Sequence, residues 1–237
     1  MAITPRSSGQ RKALASFGKY SLNEAGRAYL ESRALLDVAT SLRFAVVQAS
    51  AGDHARFNGR LIIPSLSPKG DVVDIAFRCI EDHNCGETGC SKYLFLTGLE
   101  KRLYNVGAVQ DEGRVIHITE GQLDAASLIA CGLPAVGVPG AHAWKPHVHR
   151  LFQGFDRVCV WADPDKAGEQ FFTKVQQSLS AAELIMGLLP SQDVNSLLVE
   201  RGKAGVLALL EGETEAEEQP EDEHELHYDE VGEVIPF

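Results

Sequence analysis

Two stretches of sequence decide the fold of this chain: VIHITEGQLDAASL at residues 115–128 and VCVWADPDKAG at residues 158–168. In each, a short apolar run ends at an acid and is followed by a segment with the apolar period of a helix. Strands that alternate with helices of this length pair in parallel through right-handed crossovers. The two stretches therefore predict an α/β domain on a Rossmann-like parallel sheet flanked by helices.

The same alternation extends the α/β domain, with further strands predicted at residues 134–138 and 183–189. Upstream, RLIIPSL and DVVDIAF are separated by a turn at residues 68–70, which predicts an antiparallel strand pair. We predict four segments: a flexible lead-in at 1–19, a small α+β subdomain at 20–110, the α/β domain at 111–210, and an acidic disordered tail with an apolar tip at 211–237.

The composition is typical of a globular protein, because 44% of the 237 residues are hydrophobic and 23% are charged. No apolar run approaches the roughly 20 residues that a membrane helix needs. The N-terminal residues are basic but no apolar stretch follows them, so they do not resemble a secretory signal. We therefore expect a cytoplasmic protein without a membrane partner.

The net charge of −11 belongs to the tail rather than to the rest of the chain. Residues 211–237 carry 12 acids and no Lys or Arg, which leaves 21 acids and 22 bases in residues 1–210. Residues 1–60 carry nine bases and four acids. A near-neutral core with a basic front end suits a protein that handles nucleic acid, although many basic faces are merely solvated.

Three carboxylates stand where a parallel sheet carries its active site. Glu120 ends the first strand of the α/β domain, and Asp163 and Asp165 end the third. Ligands of such sheets bind beyond the carboxyl ends of the strands. Clustered carboxylates repel unless a cation compensates them, and Mg²⁺ is the hard cation that carboxylates and phosphates share. The alternative is that a strand-end acid caps the next helix, as Asp165 could do for the helix beginning near Ala167.

These motifs resemble those of the Toprim family. VIHITEGQLDAASL is similar to the first Toprim motif, a strand that ends in Glu-Gly with an Asp four positions after the Glu. PAVGVPGA at residues 134–141 resembles the second motif, and VCVWADPDKAG resembles the third, an Asp-x-Asp followed by Ala-Gly. LLPSQDVNSLLVERG at residues 188–202 resembles the element that follows in bacterial DnaG-type primases.

The upstream half resembles the catalytic core of DnaG-type DNA primases, and in particular those of actinobacterial phages. AYLESRALL at residues 28–36 is similar to the Tyr-Leu-x-x-Arg-Gly start of that core, and RLIIPSLSPKGDVVDIAFR at residues 60–78 to its strand pair. SKYLFLTG and RLYNV resemble the Lys-Tyr-Leu segment and the Leu-Tyr step that follow. The resemblance implies a nucleotidyltransferase that makes short RNA primers on single-stranded DNA during DNA replication.

The resemblance also implies a metal site. Glu120, Asp163 and Asp165 would be the catalytic acids and the principal ligands of two Mg²⁺ or Mn²⁺ ions. Asp124 and Asp193 would support them. Two such ions activate the attacking oxygen and stabilise the leaving oxygen in phosphoryl transfer.

Three further residues are implied to bind the template or the incoming ribonucleotide: Arg78, Lys92 and Tyr93. Arg and Lys hold phosphates that the acids would repel, and Tyr can stack on a base. For Tyr93 a half-buried strand position is an equally good account.

Several features depart from the family pattern. Asn195 stands where many relatives have another acid, and Phe95 replaces the polar residue expected shortly after Lys-Tyr. The sequence contains neither an N-terminal zinc ribbon nor the P-loop of a fused helicase. We therefore expect a replicative helicase and a separate zinc-binding primase domain to be supplied by other chains.

Two other functions fit a Toprim domain. One is a recombination-mediator-like protein that binds DNA, in which a small zinc module precedes the Toprim domain. The other is a Toprim nuclease that uses the same metals to cleave a strand. The complete acid set and the Lys-Tyr-Leu segment favour the primase over a binding protein, which needs neither.

Three cysteines and a histidine cluster in the α+β subdomain as Cys79-x₃-His83-x-Cys85-x₄-Cys90. Four such ligands within twelve residues, punctuated by glycines, can wrap one tetrahedral Zn²⁺. The spacing is not a common ribbon pattern, and reduced thiols in a polar loop are the alternative. The other two cysteines fall in apolar segments and are interpreted as core thiols.

The acidic tail ends in an apolar tip, Ile235-Pro236-Phe237. This tip resembles the Ile-Pro-Phe end of bacterial single-stranded-DNA-binding proteins. A terminal Phe that enters an apolar pocket, together with acids that steer association, would recruit the chain to a replisome partner that reads such a tip. A tail that only aids solubility or shields the basic front end is the alternative.

Overall fold

The computed structural model describes residues 7–110, 113–140, 144–145, 147–185 and 193–211. Two four-stranded sheets organise them, the first antiparallel and the second parallel. The parallel sheet is flanked by helices and follows a smaller α+β subdomain in the chain, so the predicted fold class is confirmed. Among the described residues, no helix is long and apolar enough to cross a membrane.

The α+β subdomain is built on the antiparallel sheet, in which strands β1 to β4 lie in chain order. The strands are β1 (Ala45–Val46), β2 (Leu61–Leu66), β3 (Val72–Arg78) and β4 (Tyr93–Phe95). The predicted strand pair is β2 and β3, joined by a turn in which Gly70 N–H donates to the Ser67 carbonyl over 2.8 Å. Gly70 has a φ of +83°, which glycine adopts without a steric penalty. β4 pairs with β3 so that Arg78 lies opposite Tyr93.

From residue 7 onward, the structure differs from the flexible lead-in expected at residues 1–19. Ser8–Ala15 form helix α1, which begins with a capping box. Leu14 and Phe17 are buried, and both belong to a core cluster that includes Phe77 of β3. They are the only large apolar residues between positions 7 and 19, so this stretch lacks the repeated apolar spacing by which a helix is recognised in sequence.

The α+β subdomain begins with helix α2, which spans Glu24–Ser32. It begins at Asn23, whose side chain accepts the Gly26 N–H over 2.9 Å. It ends at Ser32 because Ala34 adopts a φ of +55°, a left-handed conformation that cannot continue a right-handed helix. A single helical turn, α3 (Cys85–Thr88), lies between β3 and β4.

The α/β domain is built on the parallel sheet, whose strand order is β6-β5-β7-β8. Its strands are β5 (Val115–Thr119), β6 (Ala135–Gly137), β7 (Arg157–Trp161) and β8 (Ala182–Ile185). Its helices are α4 (Gln122–Ala130), α5 (Lys166–Ser178) and α6 (Val194–Glu211). The chain leaves β5 towards β6 and later crosses back to β7, so the connections diverge between β5 and β7. Such a switch point opens a crevice at the carboxyl ends of the two strands.

One apolar core joins the two parts of the molecule. Leu30 and Leu35 of the α+β subdomain are fully buried in the same cluster as Leu123 of α4 and Leu197 of α6. Burying each such side chain contributes about 1.5–3 kcal/mol. The shared core therefore holds the antiparallel sheet against the carboxyl edge of the parallel sheet.

A buried histidine lies within the parallel sheet. His117 on β5 is 2% exposed, and its Nδ1 accepts a hydrogen bond of 3.0 Å from Nε1–H of Trp161 on β7. Because Nδ1 accepts, the ring proton of the neutral imidazole lies on Nε2. Burial, and to a smaller extent the charge of Arg157, lowers the pKa of His117 to about 4.

This histidine makes the stability of the fold depend on pH. The unfolded chain takes up the proton near pH 6.5 and the folded chain only near pH 4, so the free energy of unfolding falls as the pH drops through that interval. When the pH drops from about 7 to about 5, we expect the free energy of unfolding to fall by about 2 kcal/mol more in the original protein than in the His117→Gln variant. Glutamine retains an acceptor for Trp161 but does not titrate. Urea unfolding of both proteins at the two pH values measures the difference, and equal losses would contradict it.

Candidate metal and nucleotide site

The crevice between β5 and β7 gathers the acids that the sequence singles out. Glu120 directly follows β5, and Asp163 lies two residues beyond β7. The Asp163 backbone N–H donates to Glu120 Oε1 over 3.3 Å, which joins the two strand ends. Burial, and to a smaller extent the charges of Asp163 and Asp165, raises the pKa of Glu120.

Two further acids enter the crevice from helices. Asp124 lies in the first turn of α4, and Asp193 immediately precedes α6. Burial, followed by the charges of Asp193 and Asp163, raises the pKa of Asp124 to about 7. Its Oδ1 accepts the Asn195 N–H over 3.3 Å. All five predicted metal ligands therefore belong to one electrostatically coupled group.

Two of these acids also cap helices. Asp165 Oδ1 accepts the Gly168 N–H over 2.8 Å at the start of α5, as the capping alternative anticipated. Asp193 Oδ1 accepts both the N–H and the hydroxyl of Ser196, each over 2.7 Å. The backbone at Asp165 belongs to this cap and not to an extension of β7, which ends at Trp161. Capping fixes the direction of each carboxyl group, because one oxygen is held by the helix start.

Glycines allow the backbone to approach these acids. A side chain at Gly121 would begin 2.3 Å from Oδ2 of Asp124. A side chain at Gly168 would begin 2.0 Å from the backbone carbonyl oxygen of Asp163, a contact that no side-chain rotation relieves. The two turns from strand to helix therefore need a glycine at Gly121 and at Gly168, which explains the Glu-Gly and Ala-Gly pairs of the motifs.

The crowded acids call for a cation. Burial, followed by the charges of Asp193 and Asp165, raises the pKa of Asp163, and burial likewise raises that of Glu120. Charged carboxylates are thus disfavoured here unless a positive charge joins them. An all-oxygen donor set with several carboxylates suits Mg²⁺ or Mn²⁺. The residues present therefore fit such an ion.

The α+β subdomain supplies positive groups opposite the acids. A cleft of about 360 Å³ separates the two sets. Arg33, Arg78 and Lys92 line one part of it. Asp124, Asp163 and Asp193 line another. Glu120 and Asp165 lie at the same strand ends but outside the lining of this cleft.

Arg78 is held by two phenols. Its Nε donates to the Tyr29 hydroxyl over 2.6 Å, and its Nη1 donates to the Tyr93 hydroxyl over 2.8 Å. Its guanidinium also lies 5.0 Å from the centroid of the Tyr93 ring. Tyr93 is half-buried on β4, which is the alternative that the sequence left open for this residue. Its hydroxyl also holds the Arg78 guanidinium at the cleft. Lys92, its neighbour, is exposed, and its charge offsets a small part of the rise in the pKa of Asp163 that burial and the neighbouring acids cause.

Arg33 is a cleft residue that the sequence did not identify. Its Nη1 donates to Asn195 Oδ1 over 3.1 Å, and its backbone carbonyl accepts from Asn195 Nδ2 over 2.9 Å. Asn195 Nδ2 also donates to Ser127 Oγ over 2.9 Å. The AYLESRALL motif contains Arg33 and was the only sequence signal for its role. Its partner, Asn195, is distant in sequence, so the contact could not be inferred from the chain. An acid at position 195 would lose both amide donations, which explains the departure from the family pattern.

The remaining predicted residues fall in two places. Cys79, His83, Cys85 and Cys90 lie together in the connection between β3 and β4. Cys159 is buried and Cys131 is half-buried, in keeping with core thiols. The predicted partner-binding tip, Ile235, Pro236 and Phe237, lies outside the described residues.

Comparison with known proteins agrees with this architecture. The family model described as Toprim-like matches residues 117–198. The gene 57 protein of Mycobacterium phage D29 is 39% identical over 155 residues, which cover 64% of this chain and 97% of that protein. A DNA primase of Neisseria meningitidis is 25% identical over 137 residues, which cover 53% of this chain but 22% of that primase. The chain therefore matches about a fifth of the length of the bacterial enzyme.

A solved structure shows the same fold. The RNA polymerase domain of Mycobacterium tuberculosis primase DnaG, in complex with a double-stranded DNA oligomer that carries a 6-nucleotide overhang, superposes with a TM-score of 0.69. The match covers 87% of this chain and 80% of that domain at 18% sequence identity. At this identity the likeness concerns the fold, and it extends over both sheets.

The acid cluster predicts how metal affects stability. We expect Asp163→Asn to leave the metal-free protein as stable as the original or more so, because it removes one charge from a group of mutually repelling carboxylates. Mg²⁺ at about a hundred times its Kd should stabilise the original protein by about 2.7 kcal/mol and the variant much less. Thermal unfolding with and without Mg²⁺ measures both effects.

Asp156→Asn is the matched control, since Asp156 is exposed and pairs with Arg114 away from the cleft. This control should gain as much stability from Mg²⁺ as the original protein. An equal gain in Asp163→Asn would remove Asp163 from the metal ligands.

Proposed function

The chain belongs to the family of DnaG-type primase catalytic cores with a Toprim domain, and on that premise we propose that it synthesises short RNA primers on single-stranded DNA by two-metal nucleotidyl transfer. The observation that carries the proposal is the cleft in which Arg33, Arg78 and Lys92 face a coupled group of carboxylates. A polymerase needs both signs of charge in one cleft, because the metals need acids while the nucleotide phosphates need cations.

In this proposal Glu120, Asp163 and Asp165 hold two Mg²⁺ or Mn²⁺ ions, with Asp124 and Asp193 supporting them. When bound, the ions supply Lewis acidity to the attacking and leaving oxygens of phosphoryl transfer. The caps at Asp165 and Asp193 orient the carboxyl groups before any ion arrives. Preorganisation of this kind avoids rearranging charged groups during the reaction.

The cations bind the triphosphate of the incoming ribonucleotide and the backbone of the template. Tyr29 and Tyr93 hold the Arg78 guanidinium in place, so little side-chain entropy is lost when it binds a phosphate. Arg33 is fixed through Asn195, which ties its position to the start of α6. Lys92 is exposed and adapts to the substrate as a flexible point charge.

Other functions of replication would come from other chains. We propose a replicative helicase and a separate zinc-binding primase domain as partners, and the host cytoplasm as the location if a phage encodes the chain. The M. tuberculosis domain was solved with an overhanging DNA strand, which supports a DNA template as the ligand here.

A single assay tests this function against its alternatives. The protein is incubated with single-stranded DNA, ribonucleotides and Mg²⁺ or Mn²⁺, and the products are resolved by length. We expect short RNA products that depend on the template and on the metal. Shortened template would instead indicate a Toprim nuclease, and retention of DNA without new products would indicate a recombination-mediator-like binding protein.

Glu120→Gln should abolish primer synthesis, because it removes a charge from the proposed metal ligands while it preserves the shape of the side chain. Asp156→Asn serves again as the control and should retain full activity, since its carboxylate pairs with Arg114 on the surface. Full activity in Glu120→Gln would contradict the assignment of this acid.

Tyr93→Phe separates the two proposed uses of the ring. The variant keeps the face that could stack on a base and loses the hydroxyl that holds Arg78. If the hydroxyl matters, we expect the nucleotide KM to rise roughly tenfold, because a hydrogen bond to a charged group is worth about 1.5–3 kcal/mol. Unchanged steady-state kinetics would show that stacking or strand packing accounts for Tyr93.

A further inference from the structure

A second cluster of ligand atoms lies outside the acid site, in the connection between β3 and β4. Cys79 follows the last residue of β3, and His83, Cys85 and Cys90 complete the cluster. One ligand atom from each of the four residues lies within 4.8 Å of every other. All five cysteines of the chain are free thiols, so no disulfide accounts for this convergence.

The distances fit a tetrahedral metal ion. His83 Nε2 lies 3.6 Å from the Sγ of Cys79 and 3.5 Å from the Sγ of Cys85. A zinc ion with Zn–S bonds of about 2.3 Å and a Zn–N bond of about 2.0–2.1 Å separates its sulfur and nitrogen ligands by about 3.6 Å. Two of the thiols therefore lie at the spacing of a zinc site from the imidazole nitrogen, and the ligand atom of Cys90 lies within 4.8 Å of the other three.

The surroundings of the cluster also fit a metal site. Glu81 Oε2 lies 3.4 Å from Nδ1 of His83, the ring nitrogen that faces away from the thiols. A carboxylate behind a ligating histidine fixes the ring orientation and raises its basicity. Arg60 Nη2 donates to Cys90 Sγ over 3.3 Å. Three thiolates around Zn²⁺ carry a net negative charge, which an arginine at this place offsets.

The backbone of the loop is shaped to turn the ligands inward. Asn84 caps α3 by accepting the Gly86 N–H over 3.1 Å, which holds the segment between His83 and Cys85. Gly89 then adopts a φ of +70°, a left-handed conformation that reverses the chain just before Cys90.

We propose that Cys79, His83, Cys85 and Cys90 bind one structural Zn²⁺, and that this ion fixes the connection between β3 and β4. The two ends of the connection are Arg78 and Lys92, and the Cys79 N–H donates to the Lys92 carbonyl over 3.0 Å. A closed loop therefore holds both cations at the mouth of the cleft. Only this positioning of Arg78 and Lys92 rests on the proposed function, whereas the zinc site itself does not.

Metal content tests the site directly. The full chain is purified under reducing conditions without added zinc, and elemental analysis should find one zinc per chain. Cys85→Ser and Cys90→Ser should lower the zinc content severalfold or abolish it. Cys131→Ser is the control, because Cys131 lies outside the cluster, and it should keep one zinc. Absence of zinc from the original protein, together with no binding on titration with Zn²⁺, overturns the proposal.

Cobalt substitution gives a readout that is independent of folding defects in the variants. Co²⁺ bound to the original protein should show thiolate-to-metal charge-transfer bands and the intense visible bands of a tetrahedral ion. A spectrum of octahedral Co²⁺ without charge transfer would mean that oxygen ligands hold the ion, and it would overturn the thiolate assignment.

Glu81→Gln tests the detailed geometry. Loss of a carboxylate behind a ligating histidine typically weakens metal binding about 10- to 100-fold. We expect a weakening at the lower end of that range, measured by competition with a chromogenic chelator, because Glu81 is largely exposed. Glu87→Gln is the control, since Glu87 contacts Asn84 and no cluster residue. Equal affinities in the two variants would overturn the role of Glu81 behind His83.

The two proposals fail separately. A protein that contains zinc but makes no primers would overturn the proposed function and leave the zinc site intact. If primers are made, removing zinc with a chelator and restoring magnesium should raise the nucleotide KM severalfold with a smaller change in kcat. An unchanged KM would overturn the positioning of Arg78 and Lys92 by the loop.

Discussion

The arrangement of this molecule depends on mutual repulsion among carboxylates at the switch point of the parallel sheet. Two unit charges about 4 Å apart near a protein surface interact by roughly 4 kcal/mol. Burial and neighbouring carboxylates raise the pKa values of Glu120, Asp124 and Asp163, so the five acids cannot all be charged without compensation. Helix caps and backbone N–H groups supply part of the compensation, as at Asp165 and Glu120. The rest has to come from cations, either bound ions or the side chains across the cleft.

That requirement explains why the antiparallel sheet is attached so firmly. Its charged residues compensate the acids only if they stay within a few ångströms, and the core shared by Leu30, Leu35, Leu123 and Leu197 keeps them there. Asn195 adds a polar connection, because its amide joins the backbone and guanidinium of Arg33 to Ser127 of α4. A carboxylate at this position would add a further negative charge beside Asp124. The Asn195 amide therefore connects Arg33 to α4 at a position where another acid would increase the repulsion.

The sequence predicted the parts of the fold that depend on local pattern. Glu120 and Asp163 follow apolar strand segments, so their positions at one sheet edge could be inferred from the chain alone. Asp165 was harder, since its residue type suits both a metal ligand and a helix cap, and the cap is present. Arg33 and helix α1 were missed for a different reason. Arg33 acts through Asn195, and Leu14 and Phe17 are buried by Phe77, so their surroundings come from residues distant in sequence.

The two proposed metal sites differ in chemical character, and that difference would keep their metals apart. The sheet edge offers only oxygen ligands, which suit hard ions such as Mg²⁺ and Mn²⁺, whereas the β3–β4 connection offers three sulfurs and an imidazole nitrogen, which suit zinc. Affinity alone would not separate them, because zinc binds most donor sets more tightly than magnesium or manganese does. Besides positioning Arg78 and Lys92, a cluster of sulfur ligands beside the cleft therefore has a second consequence. With zinc bound as proposed, it would retain this scarce ion through its softer ligands and leave the carboxylates to the abundant hard ion that phosphates also bind.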